Sequence, residues 1–182
     1  YRNIDHPFGD QAIPVEHINV MEGFQVERLY SVPREDQGSW VSLCMDEKGR
    51  LIASDESGSL YRMEVPEPGK TLDPKTIERI ALNIGHAQGL LYAFDSLYVM
   101  VNSDSFEGRG LYRIRDTDGD DEFDLVESLR LFENEGDEHG PHSVVLGPDG
   151  ASIYVCVGNG TPVVDWERTK IREVWQEDLL LD

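Results

Sequence analysis

The sequence predicts an all-β protein, a β-propeller of which about two and a half four-stranded blades of an expected six are present, with a short C-terminal helix. Three observations carry that expectation. Short apolar runs of strand length alternate with Gly, Pro and Asp turns, the grammar of consecutive hairpins. The same group of four strands then recurs, with Tyr61-Arg62 and Tyr112-Arg113 at matching points of its third strand. Finally, the second strands, anchored on Leu51, Leu97 and Ile153, follow one another at intervals of 46 and 56 residues. A four-stranded unit repeating at that scale is the mark of propeller blades, whereas a sandwich does not repeat its motif at a fixed period.

Taken in order, residues 1–22 are polar and irregular, with His6 and His17 expected in solvated loop. The alternation in Gly23-Phe-Gln-Val-Glu-Arg-Leu-Tyr30 predicts a half-buried strand, and the propeller domain is expected over 23–182. Blade 1 spans about 40–82. It comprises Trp40–Met45, the turn Asp46-Glu-Lys-Gly49, Arg50–Ser54, Ser59–Val65 and Thr76–Leu82. Blade 2, about 87–131, repeats it with Gln88–Phe94, Ser96–Val101, Gly110–Ile114 and Phe123–Leu131. Blade 3 starts at about 142 with Ser143–Leu146 and Ser152–Val157, joined by Gly147-Pro-Asp149-Gly. From Asp165, a plausible N-cap, Trp166, Ile171, Val174, Trp175 and Leu179 fall near helical spacing and predict an amphipathic helix within blade 3. A third blade begun and not finished points to the amino-terminal part of a larger ring.

Composition narrows the function classes. With 39% hydrophobic and 29% charged residues the chain is of the globular kind. The 36 acidic against 16 basic residues give a formal charge of −20, which repels phosphate backbones and anionic lipid. Nucleic-acid and membrane-surface partners are therefore not expected. Cys44 and Cys156 both lie in apolar runs and read as buried free thiols, and no Cys-x-x-Cys-His is present to attach a haem. Asn159-Gly-Thr161 is read as a turn rather than a glycan acceptor.

Two constellations could carry chemistry. In a propeller, the segment leading into each first strand lines the mouth of the central channel. Here those segments supply Gln37, Ser39, Trp40, His86, Gln88, Glu138, His139 and His142. Convergent polar groups beside an aromatic make the default site. His139, with Glu138 before it to orient the ring, is the candidate base, since histidine accepts a proton near neutral pH. Trp40, His86, Gln88 and His142 are the candidate substrate contacts. Metal binding by the His139/His142 pair is the weaker alternative, because the third residue along a strand faces the other way. The second constellation is Asp116-Thr-Asp118-Gly-Asp120-Asp-Glu122-Phe-Asp124. Carboxylates at positions 1, 3, 5 and 9, with the Glu122 carbonyl at 7, suit calcium, which takes six to eight oxygens. Asp121 stands where such loops usually have glycine, and a solvated acidic turn is the competing expectation.

Several of these stretches resemble the glucose/sorbosone dehydrogenase-like propellers, six-bladed quinoproteins that use pyrroloquinoline quinone (PQQ) and calcium. They are Gln88-Gly-Leu-Leu, His139 with Gly147-Pro-Asp-Gly, and Tyr154-Val with Val157-Gly-Asn159. From about residue 22 onward the chain is similar to one branch of that superfamily, the bacterial putative membrane-bound dehydrogenase propellers. That likeness rests on Gly38-Ser-Trp-Val, Gly49-Arg-Leu-Ile-Ala-Ser-Asp55, Asp116-Thr-Asp-Gly-Asp, Glu138-His-Gly-Pro-His142 and Trp175-Gln-Glu-Asp-Leu-Leu180. The resemblance implies that His139 takes a hydroxyl proton while hydride passes to the quinone. It also implies that Gln88 lies on the substrate side, although its motif is one residue short, and that His142 replaces a small residue. The cofactor's own contacts would lie in later blades.

Three functions are thus expected in order. The first is part of a sugar or alcohol dehydrogenase acting in the periplasm or outside the cell. The second is a calcium-stabilised, non-catalytic module for glycans or proteins. The third, a metal-dependent hydrolase of the lactonase kind, is weakest, because the mouth offers histidine more than carboxylate.

Overall fold

The computed structural model describes residues 13–104, 106–133 and 139–162. The Asp165–Asp182 stretch expected to be helical, Glu138, and residues 1–12 with His6 lie outside the described residues. Among those described, ten strands form three antiparallel sheets, so the all-β expectation holds. The first sheet is a meander of β1 (Trp40–Met45), β2 (Arg50–Asp55), β3 (Leu60–Glu64) and β4 (Glu78–Arg79). The second repeats the order with β5 (Ala87–Ala93), β6 (Ser96–Val101), β7 (Gly110–Arg115) and β8 (Leu125–Leu131). The third pairs β9 (Pro141–Leu146) with β10 (Ile153–Val157).

The turns follow from their residues. Asp46 Oδ1 accepts the N–H groups of Lys48 and Arg50 at 2.9 and 2.8 Å, and Gly49 takes a φ of +79° to close the β1–β2 hairpin. Asp149 does the same for β9–β10, accepting from Ala151 N and Ser152 N at 3.0 Å, with Gly150 at φ +64°. The β5–β6 turn is tighter: Phe94 and Asp95 both have φ of +51°, the primed geometry that matches the twist of a two-residue hairpin.

The sheets stack face to face. Ile52 and Leu60 of the first sheet meet Leu97, Val99, Val101, Tyr112 and Ile114 of the second in the main core. On the opposite face of the second sheet, Tyr98 and Met100 pack on Val144 of β9, with Ile153 of β10 beside them. Both faces of the second sheet are therefore covered, which is why all six residues of β6 are buried. The stack is wedge-shaped. Its closest approaches join the first strands, β1 to β5 and β5 to β9, while no comparable approach joins β4 to β8 among the described residues. Gly89 makes the β5–β9 approach, since a Cβ there would stand 2.5 Å from the His142 carbonyl oxygen. On the other side, Leu90 N–H donates to Ser42 Oγ at 3.2 Å.

A β-bulge recurs at one position in all three sheets. Trp40 and Ser42 pair with Asp55 and Ser54, leaving Val41 extra. Ala87 and Gly89 pair with Val101 and Met100, leaving Gln88 extra. Pro141 and Ser143 pair with Val157 and Cys156, leaving His142 extra. Just beyond each bulge one backbone bond closes the hairpin: Glu56 N to Ser39 O at 2.8 Å, Asn102 N to His86 O at 3.1 Å, and Gly158 N to Gly140 O at 2.8 Å.

Some expectations change. Residues 23–30 join no sheet; two bonds, Leu72 N–H to the Leu29 carbonyl at 2.9 Å and Gly69 N–H to a Glu27 carboxylate oxygen at 2.8 Å, tie them to the chain beyond α1 (Arg34–Gln37). The first sheet's outer strand shrinks to Glu78–Arg79 because Asp73-Pro74 opens a 3-10 turn over Pro74–Thr76. Cys44 is half-buried, and burial first, with the Asp46 charge second, pushes its thiol up to about 12, so it is inert. Cys156 is exposed, contrary to the expectation of burial, because it lies with Val145 and Tyr154 on the outer face of the two-stranded sheet. No helix among the described residues is long and apolar enough to cross a membrane.

Gly89→Ala tests the stacking. A methyl forced against the β9 backbone is expected to cost roughly 1–3 kcal/mol, read as a lower urea midpoint. An unchanged midpoint would contradict the close β5–β9 approach.

Candidate functional site

The sequence placed eight side chains at one mouth, and the structure divides them. Trp40 and Gln37 belong to the outer face of the first sheet. The indole stacks on Tyr61 at 5.5 Å between ring centres, lies 5.7 Å from Tyr30, and donates through Nε1 to the Gln37 carbonyl at 3.2 Å. Gln37 Oε1 accepts the Tyr30 hydroxyl at 3.0 Å. Trp40 and Tyr30 line an apolar cavity of about 500 Å³ together with Ile13, Val15 and Ile18. Ser39 faces a different partner, its N–H donating to Asp55 Oδ1 at 2.9 Å.

Gln88 and His142 lie where the second sheet meets the third, with His86 just before β5 and His139 two residues before β9. His86 precedes β5 with a φ of +53°, a left-handed conformation costly for a side-chain-bearing residue and found more often at functional positions. Gln88 is the bulged residue of β5 and His142 that of β9, so they occupy equivalent places on neighbouring sheets. Gly89, next to Gln88, abuts the backbone of His142 and Ser143. The turn after β10 folds back on the segment before β9. Gly160 N–H donates to the His139 carbonyl at 3.0 Å, and a Cβ on Gly158 would collide with the same carbonyl.

That return brings Asn159 to His139. Its Oδ1 lies 3.1 Å from Nδ1 of the exposed imidazole. With the amide oxygen accepting, Nδ1 carries the proton and Nε2 the lone pair a base requires. Asn159 is thus a positioning contact that the sequence reading assigned only to a turn. The hairpin itself could have found it, since antiparallel strands bring the residues flanking them together. His142 Nδ1 lies 2.7 Å from the Gly140 carbonyl.

The acidic loop lies on the second sheet between β7 and β8. Asp116, Asp118 and Asp120 place carboxylate oxygens within 4.8 Å of one another. Asp116 is held low by the N–H groups of Gly119 and then Asp121. Asp118 moves the other way. The Asp120 N–H it accepts pulls it down, but the charges of Asp120, Asp116 and Asp124, with some desolvation, raise it. Glu122 N–H donates to Asp120 Oδ1 at 2.9 Å. Asp124 stands apart from the three, its carboxylate accepting Thr117 N–H at 3.1 Å and the Thr117 hydroxyl at 2.6 Å. The three clustered oxygens could hold a hard cation, whereas the Asp124 carboxylate is turned to holding the loop.

Asp121, at the position expected for glycine, has the geometry glycine would have supplied, with φ +75°. Its carboxylate explains the choice. It takes both terminal nitrogens of Arg50 at 2.7 and 2.8 Å, Lys48 Nζ at 2.7 Å and Arg62 at 3.5 Å. Arg50 in turn donates through Nε to Asp46 at 2.8 Å. The acidic loop of the second sheet is thereby fastened to the first. These bonds, Arg50 foremost and Lys48 next, hold the Asp121 carboxyl well below the usual carboxylate range.

A scan against protein-family models finds no match for the chain, and a search of curated proteins finds none.

The depressed Asp121 carboxyl fixes a pH dependence. Its pairing is present above the unfolded carboxylate value of about 3.9 and is lost as pH falls below it. Asp121→Asn is expected to lower stability at pH 7 by roughly 1 kcal/mol, because the carboxylate is 39% exposed and its pairs are screened. Urea unfolding between pH 7 and 3 should then show a shallower acid loss in the variant. Identical slopes would mean that the Arg50 pair contributes nothing.

Proposed function

We propose that the chain supplies successive blades of a β-propeller whose first-strand edge binds a hydroxylated small molecule, a sugar or alcohol, in a dehydrogenase-like site. One observation carries the reading. β1, β5 and β9 converge along one edge, each with a bulge at the same position, while β4 and β8 make no comparable approach among the described residues. Sheets arranged as radial blades would behave so, and the exposed Val145 and Tyr154 on the outer face of the third sheet would be covered by a further blade.

In this reading His139 is the base. A hydroxyl proton of the ligand passes to its Nε2 while Asn159 holds the ring through Nδ1. PQQ, implied by the resemblance to the glucose/sorbosone dehydrogenase-like propellers, would supply the hydride acceptor. A quinone bearing carboxylates needs cationic partners, and Arg109, just ahead of β7 at this end of the second sheet, is engaged by Asn102 at 2.9 Å and Asp104 at 3.1 Å. Arg50 is spent at the opposite end of the strands, where it and Arg62 hold Asp121 of the acidic loop. The described residues fit the substrate side of such a site and not the cofactor side, so no step is assigned through the quinone.

The clustered Asp116, Asp118 and Asp120 favour a second reading, a non-catalytic module stapled by calcium and binding glycans. Reconstituting the full-length protein with PQQ and calcium decides between them. The first reading expects aldose-dependent dye reduction that His139→Ala abolishes. No reduction with any sugar, together with retained glycan binding, would leave the module.

Calcium has its own test. Chelator is expected to lower the melting temperature by several degrees, and Asp118→Ala to remove that difference. A melt indifferent to chelator would dispose of the cation.

A further inference from the structure

His142 has its ring nitrogens assigned by what surrounds it. The Gly140 carbonyl oxygen accepts Gly158 N–H at 2.8 Å and lies 2.7 Å from Nδ1 of His142. A carbonyl has no proton to give, so Nδ1 must be the donor. In the neutral ring Nε2 then carries the lone pair. Among the described residues Nε2 of His142 takes no hydrogen bond, and the side chain is half-buried. A histidine pinned through one nitrogen with the other left as an acceptor is oriented for a donor from outside the chain.

Its place in the strand agrees. The bulge frees His142 from the in-and-out alternation of β9, as the equivalent bulge frees Gln88 on β5. Bulges of this kind re-aim a side chain and are over-represented beside active sites. Gly89, wedged against the His142–Ser143 backbone, keeps the two bulges adjacent.

We propose that Nε2 of His142 accepts a hydrogen bond from a ligand hydroxyl. His142 would then be a specificity-determining residue, selecting ligands with a second hydroxyl beside the one that His139 deprotonates. The inference rests on the proposed sugar- or alcohol-binding edge, and it separates two histidines three residues apart into different tasks. His139, exposed and steadied by Asn159, moves a proton; His142, anchored on the main chain, binds. A site built around a hydroxyl contact discriminates against the analogue that lacks it, because the acceptor is left unpaired.

The test is long-range proton–nitrogen NMR on the full chain, with the His142 ring signals assigned by their loss in His142→Asn. The expected pattern is the Nδ1–H tautomer; a proton on Nε2 would overturn the proposal without any ligand being present. Titration with glucose is then expected to move the Nε2 resonance of His142. His142→Asn keeps a donor for the Gly140 carbonyl, because its amide nitrogen stands where Nδ1 stood. It should melt like the parent and bind glucose roughly tenfold more weakly, the worth of one hydrogen bond. If glucose moves the Gln88 side-chain amide but not His142 Nε2, the binding edge survives and the role of His142 falls. If glucose moves neither, the sugar-binding edge itself is wrong, and the acceptor role falls with it.

Discussion

The structure depends on the burial of β5 between two other first strands. Gly89 admits the backbone of β9, and Leu90 N–H reaches Ser42 on β1. A strand crowded on both sides can hold only a small residue at the point of contact, because backbone cannot give way as a long side chain can. Once β5 is fixed there, the rest of its sheet is sandwiched: Leu97, Val99 and Val101 face one neighbour, Tyr98 and Met100 the other. Burying both faces of one sheet supplies the main apolar stabilisation, at roughly 1.5–3 kcal/mol per large side chain. The same crowding brings the bulged Gln88 and His142 to one edge, so packing and candidate chemistry have one cause.

Charge is handled by a separate device. A chain with 36 acidic residues and 16 basic ones cannot pair every carboxylate, and its arginines are concentrated where they fasten strands. Arg62 spans to Glu78 between β3 and β4, and Arg113 to Glu127 between β7 and β8, at matching registers of the two four-stranded sheets. Arg50 and Lys48 reach across sheets to Asp121. The acidic loop is thus anchored through Asp121, while the neighbouring charges raise the Asp118 carboxyl.

The strands were legible because their residues speak locally. Trp40–Met45 and Ser96–Val101 match to the residue, since alternation or an unbroken apolar run between turn residues leaves little choice. The repeat was legible for the same reason. What escaped was non-local. The segment 23–30 alternates like a strand but joins no sheet among the described residues, and alternation cannot report whether a neighbouring strand exists. Cys156 looked buried because its run is apolar, yet burial depends on what covers a face. Asp121 looked like a defect in a calcium loop until Arg50, 71 residues earlier, gave it a role. The bulges are invisible in sequence because an extra residue leaves no mark on composition. They put Gln88 and His142 in register, while Trp40, grouped with them by its position along the chain, turned to Tyr30 and Tyr61 instead.

The convergence of first strands is most directly examined by nuclear Overhauser contacts between backbone protons of β5 and β9. The packing described here requires a strong contact between the Gly89 α-protons and the Ser143 α-proton. Its absence, with contacts found instead between β8 and the third sheet, would mean that the sheets do not meet along their first strands and that Gln88 and His142 share no edge.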